Sequence, residues 1–288
     1  MPFNGKDVSR TAEECASLIA GEDAYAFKGC LICSNISLAH RSLNKISRFS
    51  FEVYQNTSKN SSSVRAFNKI YDSGIWGADG GGSGSGSSEE AGAAAKREIN
   101  NLIFNYKVTR FIDAPCGAVH SSWMKKTVLE IKEKLPCFHY RGADVVQSVI
   151  DQNIIKLSNY SSWMAFAQMD LSASTALLPK GDMILSRDAL QHLSYDTAAK
   201  VLRTYCRSGS KYLLVGSYVE NKVNEYIRDG DDYRINLLLE PFSFPAPLDI
   251  IRERVSPTIG SSKYFLLYEL PALCSSLPFM NFVDEYNH

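Results

Sequence analysis

The stretch VTRFIDAPCGAVHSSWMKKTVLEIKEKLP, residues 108–136, changes its hydrophobic period halfway along. VTRFIDAP (108–115) has the β-branched and aromatic content of a buried strand. In SSWMKKTVLEIKEKLP (121–136), Met124, Val128, Ile131 and Leu135 recur at helical spacing. Glu130 and Lys134, four apart, are placed to pair along that helix. A strand that passes within a few residues into an amphipathic helix is the opening of a βαβ unit.

The alternation continues towards the C-terminus. YRGADVV, WMAFAQMDL, GDMILSRD and KYLLVGSYV read as strands, and QSVIDQNIIKLS and SYDTAAKVLRTYCRSG as helices. The second helix has Ser194 as its cap and Ala198, Leu202 and Tyr205 on one face. Strands with nearly continuous apolar runs need cover on both faces, so the pattern predicts an α/β fold around a parallel sheet. DIIRERVS and KYFLLYEL, joined by the turn-forming PTIGSS, predict an antiparallel C-terminal hairpin on the sheet edge.

Upstream, residues 1–66 read as a helical N-terminal extension and residues 67–288 as the main domain. Thr11 with Glu14 makes a capping box, Leu18 and Ile19 follow on the apolar side, and YQNTSKNSSSVR (54–65) reads as a loop. Nine consecutive residues, 80–88, are only Gly or Ser, the composition of a tether or of a binding loop. The run enters EEAGAAAKREINNLIFNY, where Ser87 and Glu90 make a capping box and Ile99, Leu102, Ile103 and Tyr106 share a face. It therefore feeds a helix N-terminus.

Lys plus Arg and Asp plus Glu both number 31, so no global field gathers a polyanion. Neither nucleic acid nor a membrane is an expected partner, and the oligomeric state is not written in the sequence. The chain begins polar and has no apolar run of about eighteen residues, which predicts a cytoplasmic protein. Seven scattered cysteines argue against a disulfide framework. Cys30-x-x-Cys33 has no second pair at finger spacing and reads as two buried thiols, so no metal is expected. The sequons at Asn56 and Asn159 are expected to be chance matches in such a chain.

In an open parallel sheet, ligands collect at the carboxyl ends of the strands. The first turn carries one glycine, Gly117, where a dinucleotide site needs G-x-G-x-x-G, which disfavours an NAD(P)-dependent oxidoreductase. Instead Asp113, Asp144 and Asp170 end three successive strands. Any one such aspartate also serves simply to end a strand or cap a helix. Together they suit a nucleoside bearing a cationic amino acid: Asp144 accepts ribose hydroxyls, Asp113 holds the ammonium through hydrogen-bonded neighbours, and Asp170 accepts from an adenine amino group.

In that order FIDAPCG, GADVV, MDLS and MILSRDALQHLS resemble the motifs of class I S-adenosylmethionine-dependent methyltransferases. They resemble in particular a methyltransferase-like family with D-x-P-C-G in the first turn, C/S-R-D-x-L-Q/V-H-L after the fourth strand, and W-G then S-G-S-G-S upstream. The resemblance covers about residues 67–288, including NLLLEPFSFPAPL. It implies the Rossmann-like class I methyltransferase fold, a mostly parallel sheet with an antiparallel C-terminal strand, and S-adenosylmethionine as cofactor. Around the cofactor it implies Trp76, Ser83, Gly84, Ser85, Asp113, Cys116, Gly117, Asp144, Val145, Asp170, Leu171 and Arg187. Pro115 and Val119 depart from it, standing where glycines often occur. Because the Gly/Ser run belongs to the family pattern, it does not read as an engineered tether; its N–H groups beside a helix N-terminus suit the cofactor carboxylate, and a mobile lid or simple connector is an equal alternative.

Methyl transfer needs alignment, and a base only where the acceptor arrives protonated. His192, four residues after Asp188, is the candidate base, with Asp188 as its orienting acid on a helical turn; the alternative is that this segment only packs beside the adenosyl group. The long polar and aromatic segment after the fifth strand offers Tyr218, Asn221, Asn236 and Phe242 as acceptor contacts, its aromatics serving equally well to cover the sheet. With no basic surface overall, the acceptor expected is a small molecule. A non-catalytic S-adenosylmethionine-binding module is the alternative.

Overall fold

The computed structural model describes residues 61–77, 79–255 and 262–286. The Thr11 capping box, the extension up to residue 60, and the Cys30/Cys33 pair lie outside the described residues. Seven strands form one sheet: β1 (Arg110–Asp113), β2 (His139–Asp144), β3 (Met164–Gln168), β4 (Met183–Ser186), β5 (Tyr212–Ser217), β6 (Asp249–Val255) and β7 (Ser262–Glu269). Their order is β3-β2-β1-β4-β5-β7-β6. The first five are parallel, whereas β7 runs antiparallel to both β5 and β6. This is the Rossmann-like sheet that the resemblance implied, with the antiparallel edge hairpin that the sequence pattern predicted. The strand order reverses between β1 and β4, which opens a crevice at their carboxyl ends.

The helices are α1 (Ser62–Ser73), α2 (Glu89–Asn105), α3 (Trp123–Lys134), α4 (Gln147–Lys156), α5 (Tyr195–Arg207), α6 (Leu270–Cys274) and α7 (Leu277–Glu285). Period-two alternation divides the core between the two faces of the sheet. Phe111, Met183, Leu185 and Leu214 pack with Ile99 and Ile103 of α2 and Val128 and Ile131 of α3. Ile112, Ile184, Leu213 and Val215 pack with Ala198, Leu202 and Tyr205 of α5 and with Phe279 and Phe282 of α7. Among the described residues no helix is long and apolar enough to cross a membrane.

Several local expectations are corrected. The serine-rich segment read as a loop becomes α1 from Ser62, because the Ser61 hydroxyl accepts from the Val64 N–H and caps it. That helix continues without a break past residue 66. The cap of α2 is Ser88 rather than Ser87, its hydroxyl accepting from the Ala91 N–H. Glu130 pairs with Lys96 of α2 instead of Lys134, since α2 packs along α3. The expectation against disulfides also gives way. Cys206 in α5 and Cys274 at the end of α6 are bonded across 68 residues, with their Cα atoms 5.9 Å apart. No spacing rule links positions so distant; they meet because both helices pack on the same apolar cluster.

Candidate functional site

The turn after β1 is built around Gly117, whose φ of 57° is left-handed and whose missing Cβ would stand 2.8 Å from the Ser83 hydroxyl. Asp144, at the end of β2, holds this turn: Oδ2 accepts from the Gly117 N–H at 2.9 Å and Oδ1 from the Val146 N–H at 3.0 Å. The buried Asn153 of α4 completes it, donating to the Gly117 carbonyl at 2.9 Å and accepting from the His120 N–H at 3.0 Å. A side chain thus braces the turn in which Pro115 and Val119 replace glycines. Cys116 sits in the same turn, its thiol pushed well up by burial and by the carboxylates of Asp144 and Asp113.

Asp113 is buried at the end of β1 and accepts from the Tyr140 hydroxyl at 2.6 Å. Burial pushes its pKa up to about 7. Asp170, beyond β3, accepts through Oδ1 from the Ser172 N–H at 3.0 Å and the Ser172 hydroxyl at 2.6 Å. Its Oδ2 is buried and has no hydrogen-bond partner. Such an oxygen is costly unless something supplies a donor.

These groups line two adjoining cavities. One is bounded by Phe67, Met169, Leu171, Leu193, Val145 and the carboxylates of Asp144 and Asp170. The other is bounded by Ser83, Asp113, Cys116, Gly117, Trp123 and Arg187. Tyr71, Trp76, Pro115 and Asp188 line both.

The roof comes from α1 and the Gly/Ser run. The Tyr71 hydroxyl bonds to the Ser83 hydroxyl at 2.7 Å, and Ser83 in turn accepts from the Ala118 N–H at 3.1 Å. Trp76 packs edge-on against Phe67 and Tyr71 and lies against the His192 ring, 4.8 Å between centroids. The run itself folds into two 3-10 turns, Asp79–Gly82 and Ser85–Ser87, hinged at Gly84 with φ 87°. Its Ser83 and Ser87 line the second cavity. Gly84 and Ser85 shape its backbone, although neither lines the cavities.

Behind the second cavity lies a network of buried charges. Arg187 donates to Glu253 Oε1 at 2.9 and 2.6 Å, pairs with Asp188 Oδ2 at 3.0 Å, and places its guanidinium over the Trp123 ring at 5.0 Å. Lys263 of β7 pairs with Asp188 Oδ1. Burial opposes ionisation of Asp188, but Lys263 and Arg187 outweigh it and hold the carboxyl well below the usual carboxylate range. Glu253 is fully buried in β6, and its Oε2 has no partner.

The expected Asp188–His192 pair does not form. Residues 190–192 are a 3-10 turn, so four-apart helical geometry is absent, and Asp188 is engaged by Lys263 and Arg187. His192 Nδ1 instead lies 2.9 Å from the Asp231 carbonyl. A carbonyl only accepts, so Nδ1 carries a proton, and Nε2 is the ring nitrogen left to exchange one.

Of the four acceptor candidates, Tyr218 remains near the charges. Burial, with the charge of Asp188, raises its phenol pKa. Asn221 donates to the carbonyls of Val223 and Arg234, and Asn236 to those of Val219 and Asn221, so both staple their own loop. Phe242 is fully buried against Tyr195 and Phe282 and belongs to the core. Sequence reasoning missed Tyr71 and Phe67, which lie in a stretch given no element, and Tyr140 and Asn153, hidden in a strand and a helix. It also missed Glu253 and Lys263. Glu253 stands among the charges of DIIRERV, which hide it, and the one signal for Lys263 was a charge beside the apolar run YFLLY. Among the described residues no group of three or more His, Cys, Asp or Glu side chains is arranged to hold a metal ion.

No protein-family model matches the sequence, and no curated protein matches it. Similar solved structures include the methyltransferase domain of bacterial CtHen1, at 12% identity, covering 61% of this chain and 97% of that one, with a TM-score of 0.45. The magnesium protoporphyrin IX methyltransferase of Synechocystis, with bound SAH, is similar at 14% identity over 61% of this chain and 82% of that one, TM-score 0.42. The 4+2 cyclase SpnF is similar at 15% identity over 71% and 96%, TM-score 0.48.

Proposed function

We propose that this chain binds S-adenosylmethionine in the crevice and transfers its methyl group to a small-molecule acceptor. The observation that carries the reading is the convergence of Asp113, Asp144 and Asp170 on two adjoining cavities at the strand ends, with Asp170 Oδ2 buried and lacking a donor. A nucleoside amine supplies that donor. The Gly117 cradle supports the same reading, because the backbone there stays open only without a Cβ.

Within this reading, Asp170 accepts from the adenine amino group while Val145, Met169, Leu171 and Leu193 enclose the ring. Asp144 has a backbone donor on each oxygen and retains lone pairs for the ribose hydroxyls. Asp113 faces the ammonium, and the roof at Ser83 faces the carboxylate. Trp76, which lines both cavities, covers the junction between them. When bound, the cofactor supplies an electrophilic methyl group. His192 Nε2 serves as proton acceptor, oriented by the Asp231 carbonyl; Asp188, held ionised, fixes the local field.

Mass spectrometry of ligand released from purified protein tests the cofactor, and transfer of labelled methyl into a metabolite extract tests the reaction. S-adenosylhomocysteine or S-adenosylmethionine in the released fraction is expected; a nicotinamide dinucleotide would overturn the reading. A second reading, a non-catalytic S-adenosylmethionine-binding module, draws on the withdrawal of Asn236 and Phe242 into structural roles. Tight cofactor binding with no labelled product in any fraction selects it.

A further inference from the structure

Of the four cysteines in the described residues, only Cys116 is free, while Cys137, Cys206 and Cys274 are disulfide-bonded. The Cys206–Cys274 bond fastens α5 to the end of α6, and both residues pack against the apolar cluster on that face of the sheet. The fold therefore delivers the two sulfurs to each other whenever an oxidant is present. Disulfides that staple secondary elements persist in oxidising compartments and are rare where thiols are kept reduced.

A separate feature points to the same environment. Asn159, Tyr160 and Ser161 form an N-x-S sequon whose asparagine is exposed in the 3-10 turn Ser158–Tyr160. The turn precedes β3, so it lies at the opposite end of the strands from the crevice, where a bulky glycan obstructs nothing. The free thiol fits as well. Burial and two neighbouring carboxylates keep Cys116 protonated, which protects it from disulfide exchange.

We infer that this protein matures in an oxidising lumen, where Cys206 and Cys274 are held as a cystine and Asn159 carries an N-linked oligosaccharide. In the first step the two thiols release two protons and pass two electrons to a disulfide-bearing oxidoreductase, whose disulfide is reduced to a dithiol. In the second, Asn159 Nδ2 bonds to the anomeric carbon of a lipid-diphosphate-linked oligosaccharide. The lipid diphosphate departs, and the amide proton is released. This reading replaces the cytoplasmic expectation with a lumenal one, and it does not depend on the reaction proposed for the crevice.

The test uses the full chain purified from the cells that make it, alkylated with iodoacetamide at lysis and digested without reduction. The Cys206 and Cys274 peptides are expected as one cross-linked species that a reductant separates. The Asn159 peptide is expected to carry a glycan that peptide N-glycosidase removes, leaving Asp. Asn159→Gln removes that glycan and leaves ligand binding in the crevice unchanged. Alkylated Cys206 and Cys274 before reduction, or an Asn159 peptide found only without a glycan, would each overturn the inference.

Discussion

The Tyr140 hydroxyl donates to Asp113 Oδ2 at 2.6 Å across the β1–β2 pair, in the register that sets Tyr140 opposite Phe111. Burial raises the Asp113 pKa to about 7, although this hydrogen bond and the charge of Arg187 pull it partly back. In the window from the ordinary value of 3.8 up to about 7, the folded chain holds a proton that the unfolded chain has released. Stability contributed here is therefore lost as pH rises through the window. Asp113→Asn should remove this slope. His139, lowered to about 4 mainly by burial, titrates in the opposite sense on the acid side. Urea unfolding is therefore compared as parent minus variant at each pH. Identical slopes for the two proteins would refute the prediction.

Asp170→Asn should weaken S-adenosylmethionine binding while leaving the fold intact. The substitution replaces an acceptor-only carboxylate, whose Oδ2 lacks a partner, with a group that can present N–H to an amine. A lost hydrogen bond to a charged acceptor is worth about 1.5–3 kcal/mol, or roughly ten- to more than a hundredfold in affinity. Titration calorimetry reads it directly, and equal affinity for both proteins would remove Asp170 from the site.

The roof offers a comparison between two kinds of change. Ser83→Ala removes the hydroxyl that joins Tyr71 to the Ala118 N–H, and Gly84→Val places a branched side chain at φ 87°. Each should reduce cofactor affinity about tenfold, from the roughly 1–2 kcal/mol that a lost hydrogen bond or a left-handed β-branched residue costs. Ser85→Gly, at a position lining neither cavity, should change it little. Deleting two residues from 80–88 should act like the first pair. Unchanged binding after that deletion would restore the tether reading.

His192→Ala should lower methyl transfer by roughly 10²- to 10⁴-fold, the usual contribution of a positioned base, with cofactor affinity nearly unchanged. Asp188→Asn acts differently. It should disturb the Lys263 and Arg187 pairs, so a loss of thermal stability accompanies any loss of turnover. Single-turnover kinetics with labelled cofactor, run beside thermal melts, separates the two effects. A variant lacking His192 that turns over at the parent rate would leave alignment as the sole mechanism.

Cys206→Ser should cost about 4 kcal/mol, from the chain entropy released when a loop spanning 68 residues is opened. Chemical denaturation of oxidised parent and variant measures the difference. An equal midpoint and slope would mean that the packing of α6 and α7 on α5 suffices without the bond.

Much of this architecture was readable along the chain because it depends on local order. Strand-to-helix changes of period, the Ser194 cap and the aspartates ending β1 and β2 are set by neighbours a few residues away, and the structure keeps them where the pattern put them. Cap positions were less legible. In a run of hydroxyl residues, Ser87 and Ser88 offer the same chemistry; Ser87 is taken into the preceding 3-10 turn, and Ser88 is left to cap α2.

Spacing alone therefore established a parallel sheet with carboxylates at its strand ends, since period and turn chemistry act over one or two elements. Tertiary packing decided which groups those carboxylates meet. Asp188 turns to Lys263, 75 residues away, and Arg187 to Glu253, 66 away, because the β6–β7 hairpin brings its charged residues behind the crevice. Phe242 leaves the expected acceptor pocket for the core because the surface of α5 and α7 beneath it is aromatic. Such partnerships follow from which surfaces meet as apolar area is buried, and no local period records that.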